Sequence, residues 1–506
     1  MKPFEPIAPH PPATVSSLYS RSQRRIVLVA AILASSLGFI DGSVVAIALP
    51  AIRADLSATL ADAQWISNGY MLFLSSLVLL GGAAGDVYGA RRVFMAGIAL
   101  FVATSLVCAL APDAPTLIVM RAAQGFGAAL MVPGSLAMIA RAYPLTERGQ
   151  AIGIWAAASS LTTALGPTLG GLLLSFGDEW AWRLIFAINA PIGLLAFFLL
   201  WRRVPAAGMR GSRRLDIPGA VLATTGLGFV AWGLTALGLE AGERLASPAF
   251  LLAGGGVLLG AFLWWESRAA DPMIRLSLFA NRAFFGANLY TLLLFLGFNA
   301  ILFFLPMTVI AGWGRPEWQA SLLFAPLSVF IGVLSAPVGR LADRIGARSL
   351  LTAGACILAC CYAALALTMP LMDLWRVTMP ILLFNGLGMA LLVSPLSAAV
   401  MTAAPDQDSG AASGINNAVA RSAGLIAVAT FGATAGTIFN SRIVGVPGLE
   451  TSGFGATLEG AVEAGAVQRF SEATNSAFSA IAYSAAVLCL LAAGVAWLTQ
   501  PRRTTL

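Results

Sequence analysis

The chain has 506 residues, of which 58% are hydrophobic and only 10% are charged, and its mean hydropathy is +0.84. Soluble domains carry about 25% charged residues, so this composition excludes a soluble multi-domain protein and predicts an all-α integral membrane protein. The apolar runs reach about 20 residues without polar alternation, which is the length of a membrane-spanning helix and not of a barrel strand.

The charge balance is basic, with 30 Lys and Arg against 23 Asp and Glu and a pI near 9.5. A nucleic-acid partner is one explanation, and a topology signal for membrane insertion is the other. We favour the topology signal and predict no nucleic-acid partner, because the basic residues flank apolar runs. The five cysteines lie inside apolar runs and are typical of packing residues. We predict no metal site, no cofactor and no cleaved signal peptide.

A polar tail of residues 1–25 is followed by fourteen predicted membrane segments. Their bounds are 26–50, 63–82, 93–111, 115–138, 149–175, 184–201, 217–238, 248–266, 283–311, 318–337, 349–368, 377–398, 411–439 and 475–499. An even number of membrane segments puts both termini on the same side of the membrane. With the N-terminus inside, 21 basic residues lie in the inner tails and connections and seven in the outer ones. This asymmetry predicts cytoplasmic termini in a bacterial cytoplasmic (inner) membrane.

One polar motif, Gly-x-x-x-Asp-x-x-Gly-x-Arg, occurs twice. The first copy comprises Gly82, Asp86, Gly89 and Arg91, with Arg92 beside it, and the second copy, 257 residues later, comprises Gly339, Asp343, Gly346 and Arg348. A single match is weak, but two matches in register predict internal duplication. The second copy of the motif lies eight membrane segments after the first. If each half of the chain has six helices, two extra helices lie between the halves. The predicted domains are therefore 26–202, a linker with two helices at 203–282, and 283–499, followed by a tail at 500–506.

The doubled motif resembles the signature of the major facilitator superfamily, and the 6 + 2 + 6 arrangement resembles its fourteen-helix drug:proton antiporter family. Further matching stretches are Asp41–Pro50, Arg121–Gly127, Gly166–Gly171, Trp182–Gly193 and Ser413–Asn417. The resemblance covers all fourteen segments. It departs at Thr162, where the family's antiporter motif usually begins with a glycine.

This resemblance implies a major facilitator fold with pseudo-two-fold related halves. It also implies a multidrug efflux antiporter that exports amphipathic drugs, biocides or dyes by alternating access, with the proton gradient as its energy source. An exporter of one specific metabolite, such as a sugar or siderophore, is the alternative. An enzyme is disfavoured because no Gly-x-Ser-x-Gly elbow or phosphate loop occurs. The expected partners are a small amphiphile, protons and the lipid bilayer. Whether a periplasmic adaptor protein takes part is left open.

Asp41 is an acid inside a membrane segment, where a charged carboxylate must pair, face water or hold a proton. We predict that Asp41 is the proton-coupling group, as the resemblance also implies, against the alternative of a helix-packing Asp. Arg121 stays charged and cannot carry the proton. We expect it to modulate Asp41, against the alternative of an ion pair that only fixes packing.

The two polar motif copies are predicted to form latches at the inner membrane face. Asp86 and Asp343 are expected to cap the helix that follows, and the glycines at 89 and 346 to permit a tight turn. Their arginines are expected to pair with these acids or with helices of the other half. Such latches would be stronger in one of the two access states.

The antiporter motif has a mechanical interpretation. Gly166, Pro167, Gly170 and Gly171 are expected to kink one helix, let it approach a neighbour closely and seal against proton leak. A passive kink is the alternative. A central substrate cavity is predicted from aromatic and Met side chains such as Phe295 and Met389, against lipid-facing roles for them. The predicted site residues of this cavity are Gln124, Tyr70, Phe298, Asn416, Asn417 and Arg421, although Arg421 could simply extend to the inner membrane surface.

Overall fold

The structure is a computed structural model that describes residues 19–177, 179–205, 215–239, 244–405, 408–449, 453–456 and 464–501. For some residues inside helices, Asp343 among them, only the backbone is described. The described residues contain helices, turns and bends and no β-strand. Most of the tail 1–25, part of the linker and part of the last outer loop lie outside the described residues.

Sixteen α-helices occur in the described residues. They are α1 (Arg21–Leu56), α2 (Leu60–Tyr88), α3 (Ala90–Ala109), α4 (Ala114–Ala142), α5 (Leu145–Leu174), α6 (Arg183–Ala187), α7 (Asn189–Arg203), α8 (Ile217–Ala236), α9 (Pro248–Glu266), α10 (Arg282–Met307), α11 (Glu317–Leu322), α12 (Ala325–Ile345), α13 (Ala347–Thr368), α14 (Met379–Thr402), α15 (Ser409–Ile443) and α16 (Ala464–Thr499). Short 3₁₀ or π turns extend several of them.

Thirteen helices in the described part are long and apolar enough to span a membrane. The chain is therefore an all-α, multi-pass membrane protein. The remaining long helix, α5, has 30 residues and coincides with the fifth predicted segment, but several of its side chains are not described. The count of fourteen spans and the 6 + 2 + 6 arrangement stay predictions.

Helix ends follow local capping signals. The Ser20 hydroxyl accepts from the Gln23 amide and forms a capping box that starts α1. The Asp113 and Asp216 side chains cap α4 and α8 by accepting from the Thr116 and Gly219 amides. Because Ser20 caps so early, α1 begins inside the predicted polar tail. At the other end of the chain α16 begins at Ala464, well before the predicted start of the last segment at residue 475.

Packing separates the helices into two groups with a pair between them. Helices α1–α7 pack on one another, chiefly α2 and α3 on α4, and α1 on α5 and α7. Among the later helices, α10, α13 and α15 pack on α16, and α12 and α13 pack on α14. The pair α8–α9 packs together, and α8 also contacts α2 and α15. We call α1–α7 the N-terminal group and α10–α16 the C-terminal group.

Small residues allow the closest helix contacts in the N-terminal group. A Cβ added to Gly81 on α2 would lie 2.1 Å from the carbonyl oxygen of Ala129 on α4. A Cβ on Gly125 of α4 would lie 2.3 Å from the carbonyl oxygen of Tyr70 on α2. Helices in membranes gain their association from such close packing, since lipid tails are as apolar as the side chains.

The two groups are in contact at the ends that the sequence predicts to lie on the outer side. Gly171 on α5 faces Ser321 on α11, with a Cβ position 2.5 Å from the serine hydroxyl. Arg53, 7% exposed at the end of α1, donates to the backbone carbonyl of Phe454 in the loop before α16. Phe454 is itself fully buried among aromatic rings of the C-terminal group. Contacts therefore join the two groups at these ends.

Candidate functional site

A buried ion pair joins the middle of α1 to α4. Asp41 is 0% and Arg121 is 1% exposed, and the Arg121 Nη1 donates to Asp41 Oδ2. An acid and a base that each lie within an apolar helix are costly to bury alone. Their pairing explains how both are accommodated, and it places together the two residues that the sequence singled out for proton coupling.

Gln124, one turn after Arg121, completes the pair. Its Oε1 accepts from Arg121 Nη1 at 2.6 Å, and its Nε2 donates to Asp41 Oδ1 at 3.2 Å. The Arg121 Nε donates to the backbone carbonyl of Ile66 on α2 at 3.0 Å. This geometry ties α1, α2 and α4 to a single guanidinium. Gln124 therefore lies inside the network of Arg121, as its position one turn later in the helix allows, and its role in a substrate cavity stays a prediction.

Two residues that sequence reasoning did not assign extend the network to α3 and α7. Ser105 on α3 accepts from Gln124 Nε2 at 3.2 Å and from Asn189 Nδ2 at 2.9 Å, and it donates to the Phe186 carbonyl. Asn189 occurs in a stretch quoted for the family resemblance, but a serine in an apolar segment carries no signal of its own. Only burial, 0% exposed for both, reveals them.

Aromatic faces enclose the guanidinium. The Arg121 Cζ lies 4.4 Å from the ring centre of Tyr70 and 5.6 Å from that of Phe186, distances that give cation–π attraction. Tyr70 donates to the Gly38 carbonyl at 3.4 Å. Tyr70 is buried and lies against Arg121, and its role in a substrate cavity stays a prediction.

The two copies of the polar motif occupy corresponding turns. Gly89 (φ +94°) is the one residue between α2 and α3, and Gly346 (φ +86°) is the one residue between α12 and α13. L-residues with a Cβ rarely adopt this positive φ, so the glycines are required for the turn. Gly82 packs against α4 and Gly339 against α14, at Pro133 and Ser394 respectively.

The predicted role of Asp86 as a cap of the following helix is wrong. Asp86 lies in the last turn of α2, and α3 begins without a side-chain cap. The helix continues through the motif because its residues up to Tyr88 suit helical geometry and only Gly89 breaks it. Asp86 instead accepts from Arg141 on α4 at 3.1 Å. Asp343 lies at the equivalent backbone position of α12, and its side chain is outside the described residues.

The motif arginines contact their own helix group. Arg91 donates to the Leu200 and Trp201 carbonyls at the end of α7, at 3.1 and 3.0 Å. Arg348 stacks on Trp497 of α16 at 4.0 Å, and Arg92 is exposed. In this conformation the expected pairing of Arg91 with Asp86 is not observed, because the acid is taken by Arg141.

The antiporter motif lies buried in α5. A Cβ on Gly170 would be 2.2 Å from Val44 of α1, and the Gly171 position faces α11. Gly166 and Pro167 are buried beside them. Thr162, which departs from the family pattern, is hydrogen-bonded to Ser36 of α1 at 3.1 Å. The close contacts at these glycines therefore place α5 between α1 of the N-terminal group and α11 of the C-terminal group.

A cavity of about 180 Å³ lies in the C-terminal group among α10, α14 and α15. Apolar side chains, including Phe295 and Met389, form its walls, and four polar side chains line it, namely Ser397, Ser413, Asn416 and Asn417. Asn416 donates to Thr291 at 2.7 Å. Phe298 is 8% exposed and packs on the ring of Phe295 behind this wall, and Arg421 does not line it.

The chain matches the family model of the Major Facilitator Superfamily over residues 31–428. It is 33% identical over 384 residues to the multidrug resistance protein Stp of Mycobacterium tuberculosis, covering 75% of this chain and 70% of that protein. It is 36% identical to the cephamycin export protein CmcT of Amycolatopsis lactamdurans (79% and 83% covered). It is 31% identical to the methylenomycin A resistance protein of Streptomyces coelicolor (78% and 82% covered).

Solved structures with the same fold include a bacterial homologue of the human lysosomal transporter Spinster, in an inward-facing and occupied conformation. The TM-score is 0.67 at 17% identity, with 95% of this chain and 97% of that chain covered. A D-xylose–proton symporter gives a TM-score of 0.65 at 18% identity, covering 94% and 98%. The chain therefore belongs to the major facilitator superfamily, a family of membrane transporters and not of enzymes.

Proposed function

We propose that the chain exports amphipathic small molecules in exchange for protons, and that Asp41 carries the proton. The observation that supports this most is the Asp41 carboxylate, fully buried at mid-helix yet paired with one guanidinium and one amide. Relatives at 30% identity or more are named for multidrug resistance or antibiotic export, which favours export as the direction of transport.

The network suggests how proton binding acts on the helices. While Asp41 is ionised, Arg121 is held by the carboxylate and by the Ile66 carbonyl, so α1, α2 and α4 are fixed together. A proton on Asp41 removes its charge and leaves the guanidinium, which stays charged, without a counter-ion. The unpaired charge of the buried Arg121 is then stabilised by any helix movement that brings it another acceptor or water. The proton thereby favours a second arrangement of the N-terminal group.

The outer contacts support alternating access. In this conformation Arg53 holds the loop before α16, and α5 meets α11. At the inner face, Arg24 pairs with Glu147 and Arg141 pairs with Asp86, and each pair joins helices of the N-terminal group alone. We infer that the closed outer side opens when these cross-group contacts break, with the motif turns at Gly89 and Gly346 as the inner latches.

The C-terminal cavity is the proposed substrate site. Its walls carry hydroxyls, amides and apolar groups, and no charged side chain lines it among the described residues. Such a surface suits neutral or monocationic amphiphiles better than dications. A volume of about 180 Å³ is below the range of about 300–1,000 Å³ typical of drug-sized sites. That small size favours the second candidate, an exporter of one compact polar metabolite.

The membrane placement follows from the sequence. We propose a bacterial cytoplasmic membrane with both termini inside, two six-helix halves at 26–202 and 283–499, and the linker pair between them. Under this proposal the inner side of the C-terminal cavity faces the cytoplasm, and substrate enters from there. A small amphiphile, protons and lipid are then the partners.

Everted membrane vesicles test the proton role. Asp41→Asn keeps a similar shape and accepts hydrogen bonds, but it cannot release a proton. We expect substrate-induced proton release to be abolished in Asp41→Asn and retained in the control Glu147→Gln, which removes an acid at the inner face. Proton release of wild-type size from Asp41→Asn would overturn the proposal.

Susceptibility profiling against cationic dyes, biocides and antibiotics then separates the two substrate classes, since an exporter of one metabolite protects against no amphiphile.

A further inference from the structure

Two carboxyl groups meet at the inner ends of α8 and α9, far along the chain from Asp41. Asp216 precedes α8 and is 7% exposed, and Glu266 ends α9 and is 3% exposed. The two side chains approach each other at Gly219. Neither belongs to the transport network or to the motifs described above.

Each carboxyl has one oxygen satisfied by fixed donors. Asp216 Oδ1 accepts from the Gly219 amide at 2.9 Å and from Trp265 Nε1 at 2.7 Å. Glu266 Oε2 accepts from the Ile274 amide at 2.9 Å, which folds the following loop back onto α9. These bonds fix both carboxyl planes.

The second oxygen of each group has no donor. Asp216 Oδ2 and Glu266 Oε1 are buried without a hydrogen-bond partner. Both lie against Gly219, at 2.5 Å and 2.8 Å from the position a Cβ would take there. A carboxylate oxygen can only accept, so two ionised groups would leave two negative atoms facing each other in a buried site. A single proton between them supplies the missing donor.

Among the described residues, no basic side chain is paired with Glu266. The described charged side chains on the loop and on the helices packed against α8 are Arg268, Asp271 and Arg275 of the loop, Asp62 and Asp86 of α2, Asp408 just before α15, and Arg421 and Arg442 of α15. Arg275 pairs with Asp408 before α15, and Asp86 pairs with Arg141. Among the charged groups of the described residues, Asp216 is the one that acts on Glu266.

We propose that Asp216 Oδ2 and Glu266 Oε1 bind one proton between them, and that this shared proton fastens the inner ends of α8 and α9 to the loop that follows. The loop continues to Arg275 and through Asp408 to α15, so loss of the proton loosens a connection to the C-terminal group. The site is independent of the proton-coupling role proposed for Asp41.

The test compares the wild type with Glu266→Gln in lipid nanodiscs, as thermal stability against pH. In the wild type the folded state holds one proton more than the unfolded state, so stability falls as pH rises above the ordinary carboxyl pKa of about 4. While the pair titrates, the folding constant falls by up to about tenfold per pH unit. In Glu266→Gln an amide N–H replaces the proton as donor to Asp216, and we expect this pH dependence to be lost.

Infrared spectroscopy provides a second readout. The wild type is expected to show a protonated-carboxyl C=O band that Glu266→Gln lacks and the control Asp41→Asn keeps. If Glu266→Gln does not fold, Asp216→Asn serves in the same comparison. Equal pH profiles and equal bands in wild type and variant would refute the shared proton. Protection by Na⁺ or K⁺ salts instead of acid would also refute it, in favour of a bound cation.

Discussion

The buried pair of Asp41 and Arg121 should behave as one unit in stability as well as in transport. The perturbation is a double-mutant cycle with Asp41→Asn, Arg121→Gln and the neutral double variant. Each single change leaves one charge buried without its partner, at 0% or 1% exposure. Breaking a buried pair in this way costs about 3–5 kcal/mol in the free energy of unfolding.

The double variant removes both charges. It loses the bond from the guanidinium to the Ile66 carbonyl and rearranges those to Gln124, a loss of about 1–3 kcal/mol. The two single costs add to about 6–10 kcal/mol, so the double variant should be far more stable than additivity predicts. The assay is unfolding in mixed micelles with a denaturing detergent. A double variant within about 0.5 kcal/mol of the additive value would refute the reasoning.

The same double variant separates folding from coupling. It is expected to fold and to insert, yet to release no protons when substrate is added to everted vesicles. If a neutral pair still exchanged protons for substrate at the wild-type rate, the stabilising role of the pair would stand and its coupling role would not.

Three further changes probe the packing, the outer closure and a helix start. Gly125→Ala places a methyl group 2.3 Å from a carbonyl oxygen of α2 and should cost about 1–3 kcal/mol, whereas Gly153→Ala, with no atom within 4 Å, should be close to neutral in the same unfolding assay. Arg53→Gln weakens the bond to Phe454 and should raise thiol labelling of a cysteine introduced on the outer side; unchanged labelling would contradict a closing role for Arg53. The Thr116 amide lowers the pKa of Asp113, so Asp113→Ala should destabilise the protein at neutral pH and its difference from the wild type should shrink as pH falls below the ordinary carboxyl value of about 4; a difference that grows in acid would argue against the cap.

The repeat and the helix positions were readable from the sequence because they rest on local properties. The length of an apolar run predicts a membrane-spanning helix. A turn with positive φ, as at Gly89 and Gly346, requires glycine wherever it occurs. Asp41 and Arg121 also stood out, since a charge within an apolar run is expensive in any fold. Arg121 was expected to modulate Asp41, but the geometry of their pairing was not readable, because 80 residues separate them and only the packing of α1 on α4 brings them together.

What only the tertiary structure decided is which partner each polar group meets. Asp86 was expected to cap a helix, but the continuous α2 carries it to Arg141. Ser105 and Asn189 gave no signal, yet their place beside Gln124 makes them part of the site. The sequence by itself determined the all-α membrane class, the duplicated turns and the two intramembrane charges, since composition and spacing control these. Contacts between distant helices decided the network, the cavity and the facing carboxyls, because hydrogen bonds depend on distances that no local pattern records.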